Sequence, residues 1–285
     1  CAFARALSHA QTAGTVACRA DVSCSSALRM HWVLQEHDFR EPGWDALIET
    51  LERLALPHSF HKVVPFVGAL LPEPAIAHRN VICMGSYSMR HAARRYDWKP
   101  GVFDLAEQDF VRQHEHWAEH LLNAHSRVLP FGDVRLEQPS FLRPIDDTKS
   151  FAGRVFEPRA FHDWQRSVLA LGDDSHTLRA NSLVQVARPV TIHAEYRCWL
   201  VRDRVVTASL YKRGDTVFSS ADVPEPILAY ANERAREWRP HEAYVMDIAE
   251  TANGLRIIEL NTLNAAGFYA ADVQKLVMAL EDAFA

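Results

Sequence analysis

The chain has 285 residues, an apolar fraction of 48% and a net charge of −5 at neutral pH. That length supports one large domain or two ordinary ones with real cores, and the composition excludes a disordered chain. The mild, interspersed charge leaves no electrostatic footprint for nucleic acid, and no apolar run approaches a membrane span. The five cysteines, Cys1, Cys18, Cys24, Cys83 and Cys198, are odd in number and show no metal-ligand spacing, which points to a reducing, cytoplasmic setting.

Residues 1–29 are rich in Ala, Ser and Arg, carry one acid, Asp21, and lack the apolar core of a secretory signal. They read as a poorly ordered extension, sequence upstream of a start at Met30, with a transit peptide as the alternative. Met30–Gln35 is expected to be a buried strand. Trp44–Leu54 follows Pro42-Gly43 as an amphipathic helix with Leu47, Leu51 and Leu54 on one face. Ser59–Val64 and Asn80–Met84 read as strands, Met89–Tyr96 and Asp104–Ala124 as helices. This alternation is that of a small α/β layer. Gly85-Ser86, at a strand-to-helix junction, is either an anion-binding turn or simply the tight turn the layer needs. The turn formers Pro130 to Asp133 place a boundary near Val128–Asp133, dividing 30–129 from 130–285.

Beyond the boundary, Val134–Glu137, Ser140–Pro144, Leu183–Ala187, Thr191–Leu200 and Arg204–Tyr211 read as strands, and Phe151–Phe156 as a short apolar segment. Pro158–Ala170, Pro224–Trp238 and Asp272–Ala283 read as helices. Arg143 and Lys149 flank the acidic turn Asp146-Asp147. They suit phosphate oxygens, or they pair with those acids as a surface network. His193, Glu195 and Arg197 share one face of their strand, lining a cleft or forming the wet face of an antiparallel sheet. Tyr211-Lys212-Arg213 returns towards them on the partner strand, so Arg143, Lys149, Arg197 and Lys212 make four candidate cations for one cleft.

The last hairpin carries the densest chemistry. Tyr244–Ala249 and Leu255–Asn261 flank the turn Ala252-Asn253-Gly254, with Asp247, Glu259 and Asn261 in apolar surroundings. A two-residue Asn253-Gly254 turn places Asp247 opposite Leu260, away from the other two. A three-residue loop ending with left-handed Gly254 places it opposite Glu259 and gathers three oxygens on one face. That face is then a hard-cation site of the Mg²⁺ type, or a solvated hairpin face with scattered acids.

The stretches FLRPIDDTKSF, AEYRCWLV with VVTASLYKRG, and YVMDIAETANGLRIIELNTLNAAGFY together resemble the ATP-grasp superfamily. The resemblance runs from about Met30 to the C-terminus and is closest to the clade named for its arginine–lysine signature. It implies an α+β fold of two subdomains clasping ATP, preceded by a pre-ATP-grasp layer. It implies that Lys149, with Arg143 beside it, reaches the phosphates. The strand bearing Gln185, Val186 and Ala187 becomes the hinge whose backbone meets adenine. Arg197 is placed on the γ-phosphate or acyl-phosphate, and Asp247, Glu259 and Asn261 hold Mg²⁺. Glu195 contacts the amine or orients Arg197, and Lys212 completes the catalytic set. The implied reaction joins a carboxylate to an amine through an acyl-phosphate with release of ADP, the substrates being amino acids or peptides. Specificity is expected near Asn264, Gly267 and Tyr269. The chain departs from the pattern in having no clear glycine-rich phosphate-covering loop between Phe151 and Asn181, where Gly153 and Gly172 are the candidates. A non-catalytic nucleotide-binding module and a metal-dependent phosphoesterase are the alternatives.

Overall fold

The apolar run Trp32-Val33-Leu34 needs cover on both faces, and β1 (His31–Gln35) accordingly forms the middle of a sheet. The computed structural model describes residues 29–36, 42–105, 108–145, 150–171 and 178–285. β1 is parallel to β2 (His58–Val63) on one side and to β4 (Asn80–Met84) on the other. β3 (Leu70–Leu71) and β5 (Lys99–Gly101) form the edges. Helices α1 (Trp44–Arg53) and α2 (Met89–Arg95) bury apolar faces against the sheet, Trp44, Leu47 and Leu51 from the first and Met89, Ala92 and Ala93 from the second.

The expected long helix Asp104–Ala124 is shorter. α3 spans Phe110–Trp117, with the Asp109 side chain accepting from Arg112 N, and it ends where Ala118 takes a positive φ of 39°. An N-cap on one side and a positive-φ residue on the other override the periodicity. Val134–Glu137 is likewise not a strand. The strand lies earlier, at β6 (Arg127–Pro130), followed by a short 3₁₀ turn, Phe131–Asp133.

β6 joins β7 (Ser140–Pro144), β8 (Arg154–Phe156) and β9 (Leu183–Ala187) in an antiparallel sheet of order β6-β9-β7-β8, with α4 (Pro158–Ala170) packed on it through Phe161 and Gln165. The third sheet is larger. β10 (Ile192–Val201), β11 (Arg204–Arg213), β12 (Thr216–Ser220), β13 (Ala243–Thr251) and β14 (Gly254–Asn261) lie in the order β12-β11-β10-β13-β14. Alternation along β13 sends Tyr244, Met246 and Ile248 to a core with α5 (Glu225–Glu237), while Ala243 and Val245 join the opposite core. That second core also holds Trp199, α6 (Val273–Phe284) and the apolar side chains of β1 and α1. Asn264 ties the two sheets further: its Nδ2 donates to Cys83 O, and its Oδ1 accepts from Phe103 N at 2.7 Å. No helix among the described residues is long and apolar enough to cross a membrane.

Candidate active site

Asp247 shares its face with Val245, so it lies on the wall of the large sheet that looks towards the N-terminal layer. Register then assembles the charges. Arg197 on β10 stands opposite Asp247 on β13, and Asp247 stands opposite Glu259 on β14. On the other side Glu195 stands opposite Lys212 on β11. Arg197 grips Asp247 with a fork, Nε to Oδ1 and Nη2 to Oδ2, each 2.8 Å. Lys212 Nζ reaches Glu195 Oε1 at 2.7 Å, and the Tyr211 hydroxyl donates to Glu195 Oε2 at 2.7 Å. Arg143, from the smaller sheet, closes the row with Nη1 3.1 Å from Glu259 Oε2. A row of acids and cations thus spans two sheets, with the acids Asp247 and Glu259 side by side, and each described cation of the predicted set has a carboxylate partner.

Two irregularities build this row. The expected three-residue loop is not what aligns Asp247 with Glu259. Thr251 pairs directly with Gly254 across a two-residue turn, and a bulge at Ile258 shifts the register before Glu259. Gly254 does take the left-handed side, with φ +94°. A second bulge falls at Tyr211, where Lys212 pairs with Glu195 but Leu210 pairs with Tyr196, so that consecutive residues reach one carboxylate. His193, expected on the same face, sits instead at a register shift of β10 and is exposed.

Burial sets the electrostatics. The Arg197 and Asp247 side chains are 11% and 1% exposed. Burial pushes the Asp247 carboxyl up, and the Arg197 guanidinium opposes that shift. Burial alone draws Arg197 down, and the charge and hydrogen bonds of Asp247 more than reverse it. Both fork bonds need an ionised acceptor, so the pair stands as a charged one. Burial, with Asp247 and Glu195 beside it, keeps the Tyr211 phenol protonated, its pKa raised.

Magnesium asks for hard oxygen donors. Asn261 Nδ2 lies 3.0 Å from Asp247 Oδ2 and 3.3 Å from Glu259 Oε1, so the three side chains converge, and a turned amide presents its oxygen to the same point. The donor chemistry fits Mg²⁺. The arrangement is not that of a formed metal cage, since both Asp247 oxygens hold Arg197, and no group of three or more His, Cys, Asp or Glu among the described residues is placed to hold an ion. A cation entering here takes oxygens that arginines now occupy.

A small crevice of about 20 Å³ runs from Arg143 to Phe110 between β14 and the smaller sheet, with Gln185 and Ile258 on its walls. The hinge expectation needs correcting here. β9 is flanked by β6 and β7, so the main chain of Gln185 and Val186 is engaged on both sides, and Ala187 pairs only with Phe141. What Gln185 offers a ligand is its side chain, 2% exposed, whose Oε1 has no hydrogen-bond partner among the described residues. Lys149 and Gly172 lie outside the described residues. Gly153 passes so close to β7 that a Cβ there meets Phe141 Cζ at 2.9 Å and Arg143 Cβ at 3.1 Å. The sequence reading missed the Arg143–Glu259 pair, because the two residues lie on different sheets and no spacing rule links them.

Comparison with known proteins agrees with this architecture. The search of curated proteins returns no match. Among solved structures, the chain is similar to a RimK domain ATP-grasp protein from Sphaerobacter thermophilus, at 13% identity and TM-score 0.57, covering 89% of this chain and 99% of that one. It is also similar to an L-amino acid ligase from Bacillus licheniformis, at 9% identity and TM-score 0.57, covering 88% and 75%. A third is the ATP-grasp ligase PsnB complexed with minimal precursor, Mg and ADP, at 14% identity and TM-score 0.52, covering 88% and 96%. The family model for the ATP-grasp domain, family 3 of the arginine–lysine clade, matches residues 79–280. That span takes in the charged strands β10, β11, β13 and β14, the smaller sheet and the crevice between them. With its α+β ATP-grasp fold, the chain belongs to the arginine–lysine clade of ATP-grasp proteins.

Proposed function

We propose that this protein is an ATP- and Mg²⁺-dependent ligase that activates a carboxylate of an amino acid or peptide as an acyl-phosphate and joins it to an amine, releasing ADP. The observation that carries this reading is the charged row on the wall of the large sheet, in which Asp247, Glu259 and Asn261 meet while Arg197 reaches Asp247, Arg143 reaches Glu259 and Lys212 reaches Glu195. Proteins of the same fold include an L-amino acid ligase and a ligase complexed with a precursor peptide and AMPPNP, which supports the substrate class. In this reading the layer around β1 serves as the pre-ATP-grasp layer and the two later sheets as the ATP-grasp domain, with the boundary ahead of β6 rather than at the expected 129/130, which falls inside that strand.

Asp247, Glu259 and Asn261 would hold Mg²⁺, which supplies neutralisation of phosphate charge when bound. The chain's own groups do the rest. Arg143 and Lys149 take phosphate oxygens, and the Gln185 side chain accepts from a donor on the base. Arg197 stabilises charge on the oxygens of the transferring phosphoryl group, pre-set by its fork on Asp247. The substrate's carboxylate is the nucleophile, so the protein needs no covalent residue, and its work is positioning. Glu195, held by Tyr211 and Lys212, orients the incoming amine.

The test is equilibrium binding of ATP with and without Mg²⁺, followed by a screen for ADP released only when an acid and an amine are both present. Glu259→Gln is expected to abolish the Mg²⁺-dependent gain in ATP affinity while leaving the unfolding free energy within about 1 kcal/mol, since the Arg143–Glu259 pair is partly exposed. Unchanged nucleotide affinity in that variant makes Glu259 structural. Tight ATP binding without turnover under any acid and amine indicates a non-catalytic module, and phosphodiester cleavage without ATP indicates a phosphoesterase.

A further inference from the structure

Tyr269 has a φ of 51°, in the left-handed region that bulky side chains rarely adopt. Its surroundings leave it little choice. Phe268 N and Tyr269 N both donate to Pro42 O, at 2.6 and 3.1 Å, and Ala270 N and Asp272 N are pinned to Ser209 Oγ and Thr207 Oγ1 on β11. Gly43, itself at φ +80°, lies so close that a Cβ there meets Phe268 Cβ at 2.9 Å and Tyr269 O at 3.2 Å. The N-terminal layer and β11 therefore clamp this one residue from two sides.

The clamp delivers the ring to the site. Tyr269 stacks on Tyr211 with ring centroids 5.2 Å apart and planes 25° apart. Arg197 Cζ lies 5.3 Å from one centroid and 5.4 Å from the other, so guanidinium and rings form a nearly equilateral triangle. The fork on Asp247 fixes the edge of the guanidinium but leaves it free to rock about that edge. The two rings block the rocking. Nη1 is then the guanidinium nitrogen without a hydrogen bond among the described residues.

We propose that Tyr269 is a positioning residue whose strained backbone, imposed by Pro42-Gly43, presses its ring against Arg197 and aims the free Nη1. That Nη1 meets the transferring phosphoryl group rests on the ligase reading above; the positioning itself does not.

The experiment compares Tyr269→Phe, Tyr269→Ala and Tyr269→Gly in the full chain. The Arg197 Nε–H signal in ¹⁵N NMR, assigned by its loss in Arg197→Lys, is expected to be shifted by the ring in wild type and in Tyr269→Phe, and to lose that shift and broaden in Tyr269→Gly. Tyr269→Ala and Tyr269→Gly lose the same ring and differ only in backbone, so the glycine variant is expected to melt about 2 °C higher. Where ADP formation is detected, kcat in Tyr269→Gly is expected to fall about tenfold with the KM for ATP little changed, and Tyr269→Phe to recover most of the loss. An Arg197 signal unchanged in Tyr269→Gly overturns the proposal, and so does an alanine variant as stable as the glycine one. Absence of ADP from wild type with every acid and amine overturns the ligase reading instead, and leaves the NMR comparison to decide this one.

Discussion

Two polar networks among the described residues are stabilised in opposite ways. The wall of the large sheet matches charge with charge, as Arg197 with Asp247 and Lys212 with Glu195. The N-terminal sheet instead links imidazoles through a hydroxyl and a carbonyl, with no carboxylate. His61, 3% exposed, donates from Nδ1 to Pro72 O at 2.6 Å, and its Nε2 lies 2.9 Å from Ser59 Oγ. His31 Nε2 completes the chain, 2.8 Å from the same hydroxyl. Burial and the neighbouring His78, His61 and His58 push His31 down to about 4, and no acid is among the groups that act on it. The first network can exchange partners with a charged ligand without leaving a bare charge. In the second, burial and the neighbouring histidines disfavour a proton on His31.

The largest expected effect breaks the first network at its centre. Asp247→Asn leaves Arg197 buried without its counter-charge and is expected to cost about 3–5 kcal/mol of unfolding free energy in urea titration. Replacing both residues, Arg197→Met with Asp247→Leu, is expected to cost clearly less than the single change. Equal losses would mean that the fork is not what holds that face together.

Protonation breaks the second network. His31 has a lower pKa folded than its ordinary 6.5. The unfolded chain therefore binds the extra proton first, and stability rises with pH through this window. The contribution is complete above pH 6.5 and is lost as pH falls towards 4. With solvent reaching the half-buried ring, the loss is on the order of 1–2 kcal/mol. His31→Asn is expected to flatten that part of the stability–pH curve, whereas a wall variant such as Lys212→Met leaves it in place.

Lys212→Met itself sharpens the comparison. The Lys212 side chain is 35% exposed and Glu195 keeps its bond from Tyr211, so a loss of about 1 kcal/mol is expected. The smallest effect lies on the surface of α4, where Arg166 and Asp163 are 79% and 61% exposed. Asp163→Asn is expected to change stability by under about 0.5 kcal/mol, giving a baseline against which the wall is measured.

Local pattern made much of the fold legible. The strands Asn80–Met84, Ser140–Pro144 and Leu183–Ala187 and the helix Pro158–Ala170 lie where alternation, apolar runs and an N-terminal proline place them. The acids of the last hairpin and the charged face of β10 were visible as polar residues in apolar surroundings. Periodicity failed where a single backbone angle or cap intervened, as at Asp109 and Ala118 around α3. It also gave no sign of β12, whose residues Thr216–Ser220 are almost wholly exposed and carry no apolar stripe.

By itself the sequence determined which residues bear charge and which strands carry them, because side-chain direction along a strand follows from chain geometry alone. Tertiary structure decided which charges meet. The bulges at Ile258 and Tyr211 reset the register that brings Glu259 to Asp247 and two donors to Glu195, and sheet packing brings Arg143 to Glu259. A bulge is selected by the packing on both faces of a finished sheet, and a contact between sheets depends on every element that holds them together, so neither leaves a mark in any short stretch of the chain.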